Sequence, residues 1–245
     1  MSALRAKAAV DVKAHKGVNR ILGPIWWVGR GLWGDLPPLT GRDCNIYLIR
    51  GDKFDVLVDV GLTRPLTTLE RNIRAAGGDP SRVREIWLTH THYDHAANAS
   101  AWVARHPATR CRVSAVGARF IGRGDCRLTG CLTDPRLKFH PPPRWTPLKA
   151  GQVLRCPPME FRAVPLPGHT PDCVGFRGEV DGIDVMFTGD AIIGDQGPVK
   201  GAVGWLSNLW LSDVRQYERT GQLPLARRVH DRFRRRDRVC RFRRR

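Results

Sequence analysis

Thr89-His90-Thr91-His92-Tyr93-Asp94-His95 decides how the chain is read. It puts three of the eight histidines and a carboxylate into six consecutive positions. Just upstream, Glu85-Ile86-Trp87-Leu88-Thr89 is an apolar and aromatic run that stops at the polar cluster, which predicts a short buried strand. The cluster then lies on a loop at the mouth of that strand. Side chains on a loop can converge on one point, whereas those along a regular strand alternate between faces. Neutral imidazoles and an ionised carboxylate are common ligands of a divalent ion such as zinc. A histidine-rich surface turn is the plainer alternative, and a single histidine would favour it. H-x-H-x-D-H behind an apolar strand favours the metal site.

Three further motifs accompany it in order. Leu57-Val58-Asp59-Val60-Gly61 reads as a strand ending in an Asp-x-Gly turn. In Pro167-Gly168-His169-Thr170-Pro171 the prolines stiffen a loop that presents another histidine, and Gly168 allows close backbone approach. Thr188-Gly189-Asp190 places an aspartate just past a strand over residues 183–187. Together, over residues 44–190, these motifs resemble the metallo-β-lactamase superfamily of metal-dependent hydrolases. The resemblance implies an α/β fold of the αββα type: a four-layer sandwich with two facing sheets, helices outside and the metal site at one edge. It also implies two divalent metal ions. His90, His92 and His169 would hold the first, Asp94 and His95 would help hold the second, and Asp190 would bridge them. Zinc is the expected ion, while iron and manganese also suit nitrogen and oxygen ligands. Asp94 takes the catalytic role of orienting the attacking water and shuttling its proton.

That superfamily normally supplies one more histidine from a Gly-His-Gly-like loop near the end. The loop is missing here, and His230, among arginines, stands as an open substitute. Asp59 has two open readings: a cap for the helix beginning near Arg64-Pro65, or a carboxylate that accepts a hydrogen bond from the metal loop.

The resemblance implies hydrolysis of an ester-like bond in a small-molecule substrate. Asp190 fits the hydroxyacylglutathione hydrolase, lactonase and nuclease branches, so a thioester or lactone is the expected substrate. A phosphodiesterase or nuclease of the same fold is one alternative. A catalytically impaired protein lacking the final histidine is another. No Ser/His/Asp or Cys/His nucleophile competes, and no Gly-rich phosphate loop appears.

The composition sets outer limits. At 245 residues, with 42% hydrophobic side chains, the chain can bury a full core. No apolar run approaches the ~18 residues of a membrane span. We divide it into a basic extension over 1–20, a metallo-β-lactamase-like domain over 21–226 and an Arg-rich tail over 227–245. The tail holds eleven arginines and two aspartates, so it carries half of the net charge of +18. Like charges with nothing apolar between them predict a solvated, disordered segment. An abnormal gene end and contact with nucleic acid are the lesser readings. Seven cysteines without a C-x-x-C pair predict a reducing, cytoplasmic setting. Residues 122–148, rich in Gly, Pro, Arg and Cys, read as a long loop near the site, with His140 and Trp145 as possible lining. A minor zinc site from Cys126, Cys131 and His140 is conceivable. Trp205 and Trp210 could be core or a pocket wall.

Overall fold

The computed structural model describes residues 17–31, 39–40, 43–123, 128–130, 139–193, 202–203 and 211–220. Cys126, Cys131, Asp195, Trp205, Trp210, His230 and the Arg-rich tail lie outside the described residues, as does most of the N-terminal extension.

The strand that carries the metal loop is β5 (Val83–Trp87). It sits inside a seven-stranded sheet ordered β1 (Asn19–Leu22), β2 (Ile25–Gly29), β3 (Ile46–Arg50), β4 (Asp55–Val58), β5, β6 (Arg110–Ser114) and β7 (Trp145–Leu148). The first four strands form an antiparallel meander, and β4 to β7 run parallel. Parallel neighbours need crossovers. Helix α1 (Thr67–Ala75) supplies the first, and α2 (Tyr93–Ala96) with α3 (Ala99–Arg105) the second. α4 (Ala115–Arg123) lies in the third. A second, antiparallel sheet is ordered β11 (Ile183–Phe187), β10 (Val174–Val180), β9 (Met159–Pro165) and β8 (Val153–Cys156). A short pair, β12 (Ile192–Ile193) and β13 (Ala202–Val203), and helix α5 (Val214–Arg219) complete the described elements.

Two cores explain why residues 56–58 at the end of β4 and 86–88 at the end of β5 read as unbroken apolar runs. Leu57 and Ile86 face the helices with Leu48, Ile73 and Trp102. Their neighbours Val58 and Trp87 face the second sheet with Phe161 and Phe176. A strand buried on both sides has no polar face to alternate with. The Trp87 ring lies 5.5 Å from Phe161 and 5.4 Å from Phe176, and so ties the two sheets together. The layers are those of an αββα sandwich, and α5 packs at the Gly168 loop, where Asp213 N donates to Gly168 O at 2.8 Å.

Leu66, Leu69, Ile73 and Ala76 are spaced as one face of a helix; that helix is α1, and Gly77 ends it at φ +72°. Other elements differ from expectation. Residues 112–116 read in the sequence as a strand, but the strand ends at Ser114, whose hydroxyl accepts a hydrogen bond from Gly117 N at 3.0 Å and starts α4. The loop expected over 122–148 contains β7, and Trp145 packs against the helix-side core rather than lining a pocket. Asn98 stands at the start of α3 without capping it, because its amide donates to Val60 O and Thr63 O. His106 stands before Pro107 and reads in the sequence as an ordinary surface residue, but it stacks on Trp102 and bonds the buried Glu70 at 2.9 Å.

Candidate metal centre

The parallel strands point their C-terminal ends at one edge of the sandwich. There β4 ends in Asp59 and β5 runs into Thr89 to His95. From the second sheet, β9 leads to His169 and β11 to Asp190. All six residues expected to bind metal meet at this edge. His90, His92 and His169 place one ring nitrogen each within 4.8 Å of one another, and so do the ligand atoms of His90, His95 and Asp190. His92 Nδ1 is 2.9 Å from His169 Nε2. Asp190 lies between the two groups, with Oδ1 3.3 Å from His95 Nε2 and Oδ2 3.7 Å from His169 Nε2. Asp94 Oδ2 stands 3.7 Å from His95 Nε2, and its carboxylate, like that of Asp190, is partly exposed while the histidines are buried.

The donor set fits divalent metal ions. His90 Nε2 and His95 Nε2 are buried and have no hydrogen-bond partner. Buried polar atoms are almost always paired, so two bare imidazole nitrogens facing the same space call for an electrophile. Burial pushes the His90 pKa well down and that of His92 to about 3, and neighbouring imidazoles add to both shifts. Both rings are therefore neutral at pH 7 and offer a lone pair. Burial disfavours the charge on Asp190, but His95, His169 and His92 together hold its pKa well below the carboxylate range. Burial also opposes the charge on His95, yet the Asp190, Asp94 and Asp59 carboxylates raise its pKa well above 6.5.

These shifts fix how the metal-free protein responds to pH. The folded state refuses protons at His90 and His92 that the unfolded chain accepts below about 6.5. Stability therefore falls with pH below that value, by up to ~1.4 kcal/mol per unit for each ring. His95 acts in the opposite sense: its contribution is full below about 6.5 and is lost as pH rises through its raised pKa. The metal-free protein should be most stable near pH 6.5. Urea titrations at about pH 5, 6.5 and 8 check this, and a flat profile would contradict it.

Asp59 is not a helix cap. Its Oδ1 accepts from Thr89 N at 2.8 Å, and its Oδ2 accepts from the Thr89 hydroxyl and lies 2.8 Å from His95 Nδ1. With Nδ1–H donating to Asp59, Nε2 is the nitrogen that His95 turns toward the metal space, where a bound ion would displace the proton that the raised pKa keeps on the ring. Asp59 does this from φ +59°, a left-handed conformation uncommon outside glycine. Gly189 lies behind the same cluster at φ +52°, where a Cβ would meet Thr89 Oγ1 at 2.4 Å.

Two supporting residues were not expected. Buried Asp172 accepts a 2.8 Å hydrogen bond from Thr91 N and so fixes the backbone between His90 and His92. It sits one position past the Pro-Gly-His-Thr-Pro motif. Cys44 brings its thiol within 4.8 Å of the Asp59 and His95 ligand atoms, and burial pushes that thiol up, so it stays protonated. Within the expected loop, Thr129 O accepts from Tyr93 N at 2.7 Å, and Gly130 leaves room for the His92 ring, which a Cβ would meet at 2.8 Å. His140 is exposed.

An αββα sandwich with four imidazoles and two carboxylates at its edge defines a metallo-β-lactamase-fold protein. The model of the metallo-beta-lactamase superfamily matches residues 39–227, and the chain belongs to that superfamily. It is similar to the acyl-coenzyme A thioesterase MBLAC2 of Gallus gallus, 25% identical over 210 residues, which cover 76% of this chain and 68% of that protein. It is also similar to the atrochrysone carboxyl ACP thioesterase of Aspergillus fumigatus, 26% identical over 182 residues, and to the hydroxyacylglutathione hydrolase of Hahella chejuensis, 25% identical over 158 residues. Those matches cover 74% and 64% of this chain but only 36% and 50% of the relatives. Among solved structures, the FEZ-1 metallo-beta-lactamase of Legionella gormanii superposes with a TM-score of 0.64 at 17% identity, over 84% of this chain and 74% of that one. The HARLDQ-motif metallo-beta-lactamase of Cronobacter sakazakii gives 0.61 at 22%, over 83% and 75%. These two likenesses are of fold.

Proposed function

We propose that the chain is a metal-dependent hydrolase of ester-like bonds, with thioesters as the favoured substrate class. The observation that carries the reading is Asp190, poised between two histidine groups that each leave a ring nitrogen facing the same space. The thioesterases among the relatives favour sulfur over oxygen esters. His90, His92 and His169 would hold one ion. Asp94 and His95 would help hold a second, and Asp190 would be shared. Two bound divalent ions would supply Lewis acidity and an attacking water whose pKa falls from 15.7 to about 7; zinc, iron and manganese all suit the donors.

The remaining roles belong to the chain. Asp59 keeps His95 in the tautomer that frees Nε2. Asp172 holds the Thr91 amide and with it the spacing of His90 and His92. Asp94, partly exposed beside His95, takes the proton from the attacking water and returns it to the leaving thiol as the acyl C–S bond breaks and a C–O bond forms. The four cysteines described (Cys44, Cys111, Cys156 and Cys173) are all free and buried, which supports a cytoplasmic setting. Among the described residues no helix is long and apolar enough to cross a membrane. The division into 1–20, 21–226 and 227–245 remains our reading of the chain's organisation.

The test is thiol release from acyl-coenzyme A by metal-loaded protein, compared with Asp94→Asn. We expect turnover, and a fall in kcat of about 10²- to 10⁴-fold in the variant. Turnover confined to a phosphodiester such as bis(p-nitrophenyl) phosphate would replace the thioesterase reading with the phosphodiesterase one, to which the charge of +18 lends weight. No turnover on either, with metal bound, would mean an impaired site. Among the described residues no further histidine joins the cluster.

A further inference from the structure

Asp59 and Asp172 brace the backbone that carries His90 to His95. His169 comes from the second sheet, and its neighbour Gly168 is gripped by residues at α5, from 44 positions further on. Gly168 O accepts from the Ser212 hydroxyl at 3.1 Å and from Asp213 N at 2.8 Å. A carbonyl oxygen has two lone pairs, and here both are used. That oxygen lies in the peptide plane that joins Gly168 to His169. Pinning it stops the plane from turning and fixes the direction in which His169 leaves the loop. Gly168 N donates to Thr170 O at 3.3 Å, so the backbone also closes around the histidine.

Tyr217 completes the grip from α5. It is fully buried, and its ring lies against Gly168. A Cβ on Gly168 would meet Tyr217 Cγ and Cδ2 at 2.7 Å and Cδ1 at 2.8 Å. Gly168 also has φ +152°, a value that residues with a side chain rarely adopt. The close approach that the Pro-Gly-His-Thr-Pro motif permits is therefore that of an aromatic ring. The Tyr217 hydroxyl is buried and meets no partner among the described residues, so what Tyr217 brings to the loop is its ring.

We infer that Tyr217 is a positioning residue for His169. With Ser212 and Asp213 it holds the Gly168 peptide, and thereby sets how tightly an ion at His90, His92 and His169 is bound. The inference rests on the metal-centre reading and adds to it a dependence on α5. His90 and His92 stand on a loop of the first sheet and His169 on a loop of the second. Their three nitrogens converge only while the two loops keep their spacing. A ligand with loosened supports must be ordered again when the ion binds, which weakens binding about 10- to 100-fold. The other ion would be held by His95, Asp94 and the shared Asp190, and depends less on this loop.

The experiment is a cobalt(II) titration of the whole metal-free chain against a competing chelator, followed by visible absorption. Tyr217→Ala should weaken one of the two equivalents about 10- to 100-fold and leave the other little changed. Adding Asp59→Asn, which acts on His95, should weaken the other. Tyr217→Phe keeps the ring and should bind as wild type does. Gly168→Ala should weaken the same equivalent as Tyr217→Ala. Combining the two should cost less than the sum of their separate losses, because the added methyl then has room. Thermal melts establish which variants are folded. If Tyr217→Ala is not, Ser212→Ala removes one of the two bonds to Gly168 O and should weaken that equivalent about fivefold. Equal weakening of both equivalents, or none, would overturn the positioning role and leave the metal centre standing. A loss in Tyr217→Phe as large as in the alanine variant would overturn the role of the ring. A wild type that binds no cobalt would remove the metal reading and the positioning role with it.

Discussion

His90→Ala protein, purified without added metal, will carry less metal than wild type and will hydrolyse thioesters at least about a thousandfold more slowly. The expectation comes from where the ring stands. His90 belongs to both potential ligand groups, and its centroid lies 4.7 Å from His92, 4.9 Å from His169 and 4.1 Å from His95. Among the described residues no other histidine lies against all three of these rings. Alanine removes the bare Nε2 and leaves His92 and His169 as a two-nitrogen site, too few for a tetrahedral ion. The fold should survive the change. The metal-free ring is neutral, and its own contribution to acid sensitivity disappears with it, so the metal-free variant should lose stability less steeply than wild type below about pH 6.5. Elemental analysis and thiol release measure the first two effects, and urea titration measures the third. Full metal content with wild-type turnover would show that His90 is not a ligand.

What the sequence disclosed followed the range of the interactions involved. His90 to His95 is legible because four side chains within one turn of chain cannot avoid one another once a buried strand delivers them. α1 is legible because Leu66, Leu69, Ile73 and Ala76 repeat at helical spacing. The Asp181-Gly182 hairpin is legible because both residues must take positive φ. α4 was hidden because Ser114, the residue that starts it, reads equally well as the middle of a strand over 112–116. Asp172 was hidden for a different reason. Its partner Thr91 is 81 positions away, and no local pattern encodes a hydrogen bond across that distance. Asp59 lay between these cases: the Asp-x-Gly turn suggested a purpose but not which one. The choice was made by Thr89 and His95, 30 and 36 positions on, which reach its two oxygens. The metal motifs could be read locally, whereas the carboxylates that support them depend on tertiary contacts.

Asp59 gives the other large effect, and two substitutions separate its two jobs. Asp59→Ala strands three buried donors, Thr89 N, Thr89 Oγ1 and His95 Nδ1, at about 1–3 kcal/mol apiece. It also keeps a residue with a Cβ at φ +59° without the side-chain acceptance that holds it there. A destabilisation of about 4 kcal/mol or more is expected, enough to unfold a marginal domain. Asp59→Asn behaves differently. Asparagine tolerates the left-handed conformation, and its carbonyl can still accept from Thr89 N. Its amide, however, turns a donor toward His95 Nδ1. The imidazole answers by accepting at Nδ1 and carrying its proton on Nε2, where the lone pair for the second ion should be. Asp59→Asn should therefore fold, yet bind the second equivalent of metal about 10- to 100-fold more weakly, with the first equivalent little changed. Thermal melts of both variants and a metal titration of the asparagine variant read these outcomes. If the asparagine variant binds both equivalents as wild type does, the hydrogen bond to Asp59 does not set the tautomer of His95, and its role is confined to holding β4 against the metal loop.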